Sequence, residues 1–361
     1  MKIRSAEARY YRWPRPVPIS NGKHTWTDMQ MSVTTITTDD GLTGIGIGSG
    51  SPGERQFRDE FCRQIIGIDP TLTERIWAML SDSKMYGRRG FETAALAPID
   101  MALWDIKAKL AGLPLHRLVG GYRDRVPIYI AGGYYSPDKT LRALQAEMAG
   151  YVEKGAKAVK MKVGRVSYAE DAARVGAVRE ALGPDIKLMI DANCAYRAHE
   201  AIQFARQVEA FDIAWFEEPV GPEDYAGLSR VGMQTSIPIA AGEQEYRVHG
   251  FRDLMATDVV GIVQPDARWM GGVTEFMKVS ALAQAKGAAI AAHGPQHIHL
   301  PLIGAIPNGI FAEYYDGDFG TPHGPVFLED LPIGDDGSVA LSQVPGVGYT
   351  LNDEVLAKLL V

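Results

Sequence analysis

From Val126 onward, eight short apolar runs alternate with amphipathic stretches, and no other property of this 361-residue chain narrows its fold as much. The runs are Val126–Ala131, Ala158–Val163, Ile186–Ile190, Ile213–Phe216, Ile237–Ala241, Val259–Val263, Ala288–Ala292 and Gly309–Ala312. Between most of them lie segments with helical spacing, such as Asp138–Lys154, Tyr168–Leu182, Arg197–Ala210 and Thr274–Lys286. Strands that alternate with helices make parallel βαβ units. Over roughly 190 residues a closed (β/α) barrel answers this pattern best, with its site at the carboxyl ends of the strands. A doubly wound open sheet is the alternative, because periodicity alone does not prove closure.

Residues 1–125 read differently, as mixed α+β. Met29–Ile36 and Leu42–Ile47 are predicted strands joined by the Asp39-Asp40-Gly41 turn. Glycines at 44, 46, 48 and 50 suggest a nucleotide loop, but their spacing does not fit the dinucleotide fingerprint, and a twisted strand with a flexible loop fits better. A helix is predicted over Glu92–Leu110, ended by Gly112 and Pro114. The tail from about 330 to 361 is expected to complete this amino-terminal unit, leaving 126–329 as the barrel.

The chain carries 37 basic and 44 acidic residues, a net charge of −7. That balance argues against affinity built on phosphate neutralisation, so no nucleic-acid partner is expected. Cys62 and Cys194, the two cysteines, form no metal-ligand spacing. No run approaches the length of a membrane helix, and the first residues lack an apolar signal core. A soluble cytoplasmic protein with no membrane partner is the expectation.

The ionisable residues carry the chemistry. Successive runs end in Lys160-Met161-Lys162, Asp191, Glu217-Glu218, Glu243, Asp266, His293 and Glu313, at intervals of about 20 to 29 residues. In a barrel these positions converge on one mouth. Charges placed directly after buried strands are costly unless paired or bound to metal. Any one acid here could cap the next helix; seven regularly spaced groups ask for more. Asp191, Glu217 and Glu243 are three hard oxygen donors that suit Mg²⁺, and the absence of Cys or His among them argues against zinc. Lys162 is the natural base, its pKa expected to fall beside Lys160 and a dication. Asp266 can orient His293 as a second proton-transfer group. Glu313 can donate a hydrogen bond if protonated, or act as an acceptor. His297 and His299 read as loop or packing residues.

These residues resemble the enolase superfamily, and within it the mandelate racemase subgroup. The resemblance rests on Lys160-Met-Lys162, Asp191-Ala-Asn193, Glu217-Glu218-Pro219, Gly242-Glu243, Gln264-Pro265-Asp266 with Gly271-Gly272, His293, and the helix phrase Ile99–Asp105. It implies an α/β fold, a modified (β/α)7β TIM-like barrel under an α+β capping domain. It also implies Mg²⁺ on Asp191, Glu217 and Glu243, and α-proton abstraction from a carboxylate substrate to give an enediolate. The muconate cycloisomerase subgroup fits less well, since it carries Lys where this chain has Asp266. The phrases Gln264–Gly272 and Ala305–Gly309 look most like acid-sugar dehydratases. The implied activity is dehydration of an aldonate or aldarate to a 2-keto-3-deoxy acid. The alternatives are a two-base racemase or epimerase and a non-catalytic carboxylate-binding homologue. Substrate contacts are expected from Asn193, Tyr196 and Arg268 and from His24 and Trp26 in a loop spanning Ile19–Asp28. Tyr196 stands where relatives often carry Trp. A small-molecule acid as partner and a homo-oligomeric assembly complete the expectation.

Overall fold

The computed structural model describes residues 1–82, 89–317 and 320–361. Eight parallel strands close into a barrel: β4 (Arg125–Gly132), β5 (Ala158–Lys162), β6 (Lys187–Asp191), β7 (Ile213–Glu217), β8 (Ile239–Ala241), β9 (Val260–Val263), β10 (Ala289–Ala292) and β11 (Gly309–Tyr314). Pairing of β11 with β4, Ala312 opposite Ile128, shuts the ring and removes the open-sheet alternative. Each of the eight runs is a strand of it.

Before the barrel come three antiparallel strands, β1 (Ile3–Ser20), β2 (Thr25–Thr38) and β3 (Thr43–Gly48), and the helices α1 (Pro52–Gln64), α2 (Thr73–Ser81), α3 (Phe91–Ala111) and α4 (Leu115–Leu118). The glycine alternation in β3 is a packing device. A Cβ on Gly46 would stand 1.9 Å from the Pro98 carbonyl oxygen, and one on Gly44 2.1 Å from that of Ala102. Only bare backbone lets β3 lie this close on α3, whose residues are buried along nearly their whole length.

Between barrel strands run α5 (Leu141–Glu153), α6 (Tyr168–Leu182), α7 (Ala198–Val208), α8 (Tyr225–Gly232), α9 (Arg247–Met255), the short α10 (Ala267–Met270), α11 (Gly272–Ala285) and α12 (Gln296–Ala305). Local chemistry sets their ends. Ser167 caps α6 in a reciprocal box with Glu170, and Thr140 caps α5 by accepting from the Ala143 N–H.

Two cores flank the barrel wall. Outside, strand residues such as Val159, Ile190 and Phe216 pack on the helices. Inside, Tyr129, Met189, Trp215 and Ile262 fill the barrel among alanines from neighbouring strands. Tyr129 and Trp215 meet edge to face at 5.2 Å and form a floor beneath the mouth.

The cap is fastened over that mouth through α3 and α11. Asp100 accepts from the Thr274 N–H at 2.9 Å and its hydroxyl at 2.5 Å, and Trp104 Nε1 donates to the same hydroxyl. Gly272 makes room, since a Cβ there would stand 2.4 Å from Asp100 Oδ2. The carboxyl-terminal segment does not go to the cap as one piece. After a hairpin of β12 (Gly320–Thr321) and β13 (Gly324–Pro325), β14 (Ser338–Ala340) adds antiparallel to barrel strand β4. Past α13 (Asp353–Leu356), the last residues return to the cap, where Val361 N donates to the Tyr10 carbonyl.

Candidate active site

Period-two alternation on β5 buries Met161 in the outer core and turns Lys160 and Lys162 inward. Register then levels the neighbours: Lys162 lies opposite Asp191, and Asp191 opposite Glu217. Glu243 follows two residues after the end of β8. Oxygens of Asp191, Glu217 and Glu243 lie within 4.8 Å of one another, and all three residues are buried. The backbone kinks sharply around them, with positive φ at Asn193 (43°), Cys194 (60°) and Glu218 (40°). Such conformations persist only where the surroundings over-determine them.

The barrel floor reaches into this cluster. Trp215 Nε1 and Gln264 Nε2 donate to Glu217 Oε2 at 3.0 and 2.6 Å. Lys160 Nζ, fully buried, reaches Glu217 Oε1 at 2.5 Å and Glu313 Oε1 at 2.8 Å. Lys162 Nζ bonds to Asp191 Oδ2 and sits 5.2 Å from the Tyr134 ring centre.

Burial alone would raise Asp191's pKa, but Lys162 and Lys160 outweigh it and hold the carboxyl at about 2. Glu243 and Glu218 lack that help. Burial lifts Glu243 well above the ordinary range, with Glu218 adding repulsion, and lifts Glu218 to about 8, with Asp191 adding to it. Glu243 Oε2 and Glu218 Oε2 make no hydrogen bond although buried. A crowd of carboxylates with orphaned oxygens and only hard donors fits Mg²⁺ on Asp191, Glu217 and Glu243.

Burial pulls the pKa of Lys162 down, but Asp191 and Tyr134 reverse this, and the ammonium is held above the ordinary lysine range. Lys160 contributes to lowering it but ranks behind Asp191. Asp191, which raises it, is also one of the three carboxylates that suit Mg²⁺.

On the other flank, His293 Nδ1 lies 2.9 Å from Asp266 Oδ2, which leaves Nε2 facing Glu243 Oε2 at 3.4 Å. Burial lowers the imidazole's pKa, yet Glu243, Glu313 and Asp266 together bring it up to about 9. Asp266 has a second partner that spacing does not reveal. Arg268 Nε reaches Asp266 Oδ1 and Oδ2 at 3.0 and 3.1 Å, and Nη2 reaches Oδ2 at 2.6 Å. Gly294 admits the pair, because a Cβ there would stand 2.6 Å from Asp266 Oδ2.

Glu313 settles as an acceptor. Gly294 N and Tyr315 Oη donate to its Oε2, Lys160 Nζ forms an ion pair with its Oε1 at 2.8 Å, and Lys160 and His293 overcome burial to hold it at about 2. His299 is a staple on α12. Its Nε2 accepts from the Ala267 N–H at 3.0 Å, so Nδ1 donates to the Pro295 carbonyl, tying the ends of β9 and β10 together. His297 stacks on Phe327.

One cavity of about 470 Å³ joins the mouth to the cap. Lys162, Glu243 and His293 line it together with Asn193, Arg268, His24 and Trp26. Tyr196 is not there. It is buried in an aromatic cluster with Tyr168, Phe204 and Phe216, which corrects the expected substrate contact. The expected loop Ile19–Asp28 is also shorter than supposed: β1 and β2 run into it, leaving a hairpin tip held by Asn21 Oδ1 on Lys23 N and His24 N. Tyr134, Tyr315, Arg15 and Ser49 line the same cavity and were not singled out from sequence. Tyr315 carried a usable signal, two residues past Glu313 at strand period.

The chain matches the family described as Mandelate racemase / muconate lactonizing enzyme, N-terminal domain, over residues 4–120. It matches the Enolase C-terminal domain-like family over 143–355. An arabinonate dehydratase of Saccharolobus solfataricus is 35% identical over 339 residues, covering 91% of this chain and 90% of that one. A D-galactarolactone cycloisomerase of Agrobacterium fabrum is 39% identical over 264 residues, covering 72% and 69%. The crystal structure of L-talarate/galactarate dehydratase from Salmonella typhimurium, with Mg and L-lyxarohydroxamate, superimposes with a TM-score of 0.93 at 31% identity, covering 100% of this chain and 93% of that one.

Proposed function

We propose a function from one premise: the chain belongs to the mandelate racemase / muconate lactonizing enzyme family of the enolase superfamily. It is a lyase of the sugar-acid dehydratase type, and its substrate is an aldonate or aldarate. The observation that carries this is the meeting on one cavity of Lys162, His293 and Glu243, the last of which belongs to the Asp191–Glu217–Glu243 cluster.

Mg²⁺ held by Asp191, Glu217 and Glu243 would supply the positive charge that makes a hydrogen next to a carboxylate acidic. The remaining work falls to the chain's own groups. Lys160 sits beneath the cluster as a fixed cation for the substrate carboxylate. With Asp191 engaged as a metal ligand, Lys162 would no longer be held as an ammonium, and its neutral Nζ takes the α-proton as the Cα–H bond breaks. The electron pair then expels the β-hydroxyl, and His293 gives its Nε2 proton to the departing oxygen, releasing water. Asp266 holds Nδ1 so that Nε2 faces the cavity, and Arg268 holds Asp266. The resulting enol tautomerises to a 2-keto-3-deoxy acid. Asn193, His24, Trp26 and Arg268 contact the rest of the substrate. The test is to incubate the protein with Mg²⁺ and a library of five- and six-carbon aldonates and aldarates. Keto-acid formation is expected from at least one, and none from folded, metal-loaded protein would refute it.

A second reading has support in the 39% identity to a lactone cycloisomerase. The same proton would leave, but the departing oxygen would be part of a ring and stay on the product. Conversion of a sugar-acid lactone without loss of water would select it. Deuterium incorporation with inversion and no elimination would instead select a racemase.

A further inference from the structure

We propose that Ser49 reads a hydroxyl group of the substrate, as an obligate hydrogen-bond acceptor whose polarity is set from the cap core by Glu54 and Arg58. This rests on the sugar-acid reading above, and names which substrate groups the cap wall admits.

The inference starts at Arg58, whose side chain is fully buried. Its guanidinium donates to Ser32 Oγ, to Glu54 Oε2 and, at 3.3 Å each, to the carbonyls of Ala94 and Ala95. A guanidinium is always charged, and a buried one needs a counter-ion. Glu54, 3% exposed, is its ion-pair partner. An ionised carboxylate has no proton to give. Its other oxygen, Oε1, therefore accepts from Ser49, and that bond uses the only proton Ser49 Oγ has. The Ser51 N–H donates to the same Oγ at 3.2 Å. One lone pair of Ser49 is left, and Ser49 lines the cavity.

A substrate group meeting that lone pair has to donate. A sugar hydroxyl can; a carboxylate or a carbonyl oxygen cannot. The arrangement is built into the glycine alternation of β3. A Cβ on Gly48 would stand 2.7 Å from Ser32 Oγ and 2.9 Å from Arg58 Nη2, so glycine admits the guanidinium beneath the loop. Gly50, at φ +79°, lies on the Met31 backbone, where a Cβ would come within 2.6 Å. The motif that spacing excludes as a nucleotide loop thus holds a buried charge behind a substrate-facing serine.

The experiment compares the acid sugar that the library favours with its monodeoxy analogues, each lacking one hydroxyl, in Mg²⁺-loaded protein. Two readouts are taken: kcat/KM, and calorimetric Kd in a Lys162→Met background. At one hydroxyl position the parent is expected to exceed its deoxy analogue roughly tenfold, and Ser49→Ala should bring that ratio close to one. Glu54→Gln should instead reverse the serine's polarity: the glutamine carbonyl would stay on Arg58, its amide N–H would turn to Ser49, and the serine proton would swing into the cavity, so an analogue with a carbonyl at that position, rejected by the parent, should bind roughly tenfold better. Should that variant fail to fold because Arg58 loses its counter-ion, Ser49→Ala still decides. A ratio unchanged by Ser49→Ala at every position overturns the assignment, as does failure to bind any polyhydroxy acid. Binding with the expected ratios but no keto acid refutes the lyase reading alone.

Discussion

The barrel mouth and the cap core both bury charge, but they balance it differently. In the cap, Arg58 and Glu54 face each other one to one, and Ser32, Ser49 and two carbonyls take up the remaining hydrogen-bonding capacity. At the mouth, Asp191, Glu217, Glu218, Glu243 and Glu313 crowd round Lys160 and Lys162, and three of the carboxylates, Glu217, Glu218 and Glu243, are driven upward in pKa by burial and by neighbouring carboxylates. A matched buried pair is a structural element, and removing either half is what costs. An unmatched cluster is stable only with a further cation, so its excess charge marks a binding site. The same residue types thus mean different things according to whether their neighbours complete them.

That contrast is sharpest for Lys162→Met. Turnover should fall by 10³-fold or more, the upper range for loss of a general base. The fold should survive, because the methionine stem still fills the space. Chromatographic keto-acid assay with circular dichroism checks both, and near-normal turnover would remove Lys162 from the base role. Asp266→Asn should cost about 10²-fold while leaving Mg²⁺ affinity by calorimetry nearly intact, since Asp266 touches His293 and Arg268 rather than the metal ligands. A large loss of metal binding would contradict that separation.

In the cap the expected signs invert. Arg58→Leu leaves Glu54 charged and buried without its partner, an effect of about 3–5 kcal/mol. Urea denaturation should show it as a lower midpoint. A variant as stable as the parent would mean that the cap core does not depend on the pair, which would also weaken the Ser49 assignment.

Legibility followed the same division. The barrel strands could be seen because each is a buried apolar run of fixed length, and the site because charge directly after such a run is conspicuous. In the cap the signal was patchier: Met29–Ile36, Leu42–Ile47 and Glu92–Leu110 reveal β2, β3 and α3, but β1 stays hidden. β1 is an 18-residue strand, but Pro14, Pro16 and Pro18 break its alternation, and its register shifts between Pro14 and Ile19. Tyr196 sits in the right motif, yet the turn after Asn193 sends its ring into the aromatic packing. The Arg268–Asp266 bond lies only two residues apart in sequence, but nothing in spacing tells a clamp on Asp266 from a substrate contact. Long-range pairs such as Asp100–Thr274, 174 residues apart, are invisible to any periodicity.

That last pair bears on how cap and barrel hold together. Asp100 is fully buried, and burial drives its pKa up to about 7 against the lowering effect of its Thr274 hydrogen bonds, with Glu275 and Glu74 adding repulsion. An acid whose folded pKa lies above its unfolded value binds its proton more tightly in the native state. Its contribution to stability is therefore fully present below the unfolded pKa near 3.8 and is lost as pH rises through about 7. Between those limits the slope cannot exceed about 1.4 kcal/mol per pH unit. Asp100→Asn, which keeps the acceptor for the Thr274 N–H but cannot ionise, should flatten this part of the stability profile measured by urea denaturation from pH 5 to pH 8. If the parent and the variant lose stability in parallel over that range, the charge on Asp100 plays no part in seating the cap, and the hydrogen bonds to Thr274 hold it equally well in either state.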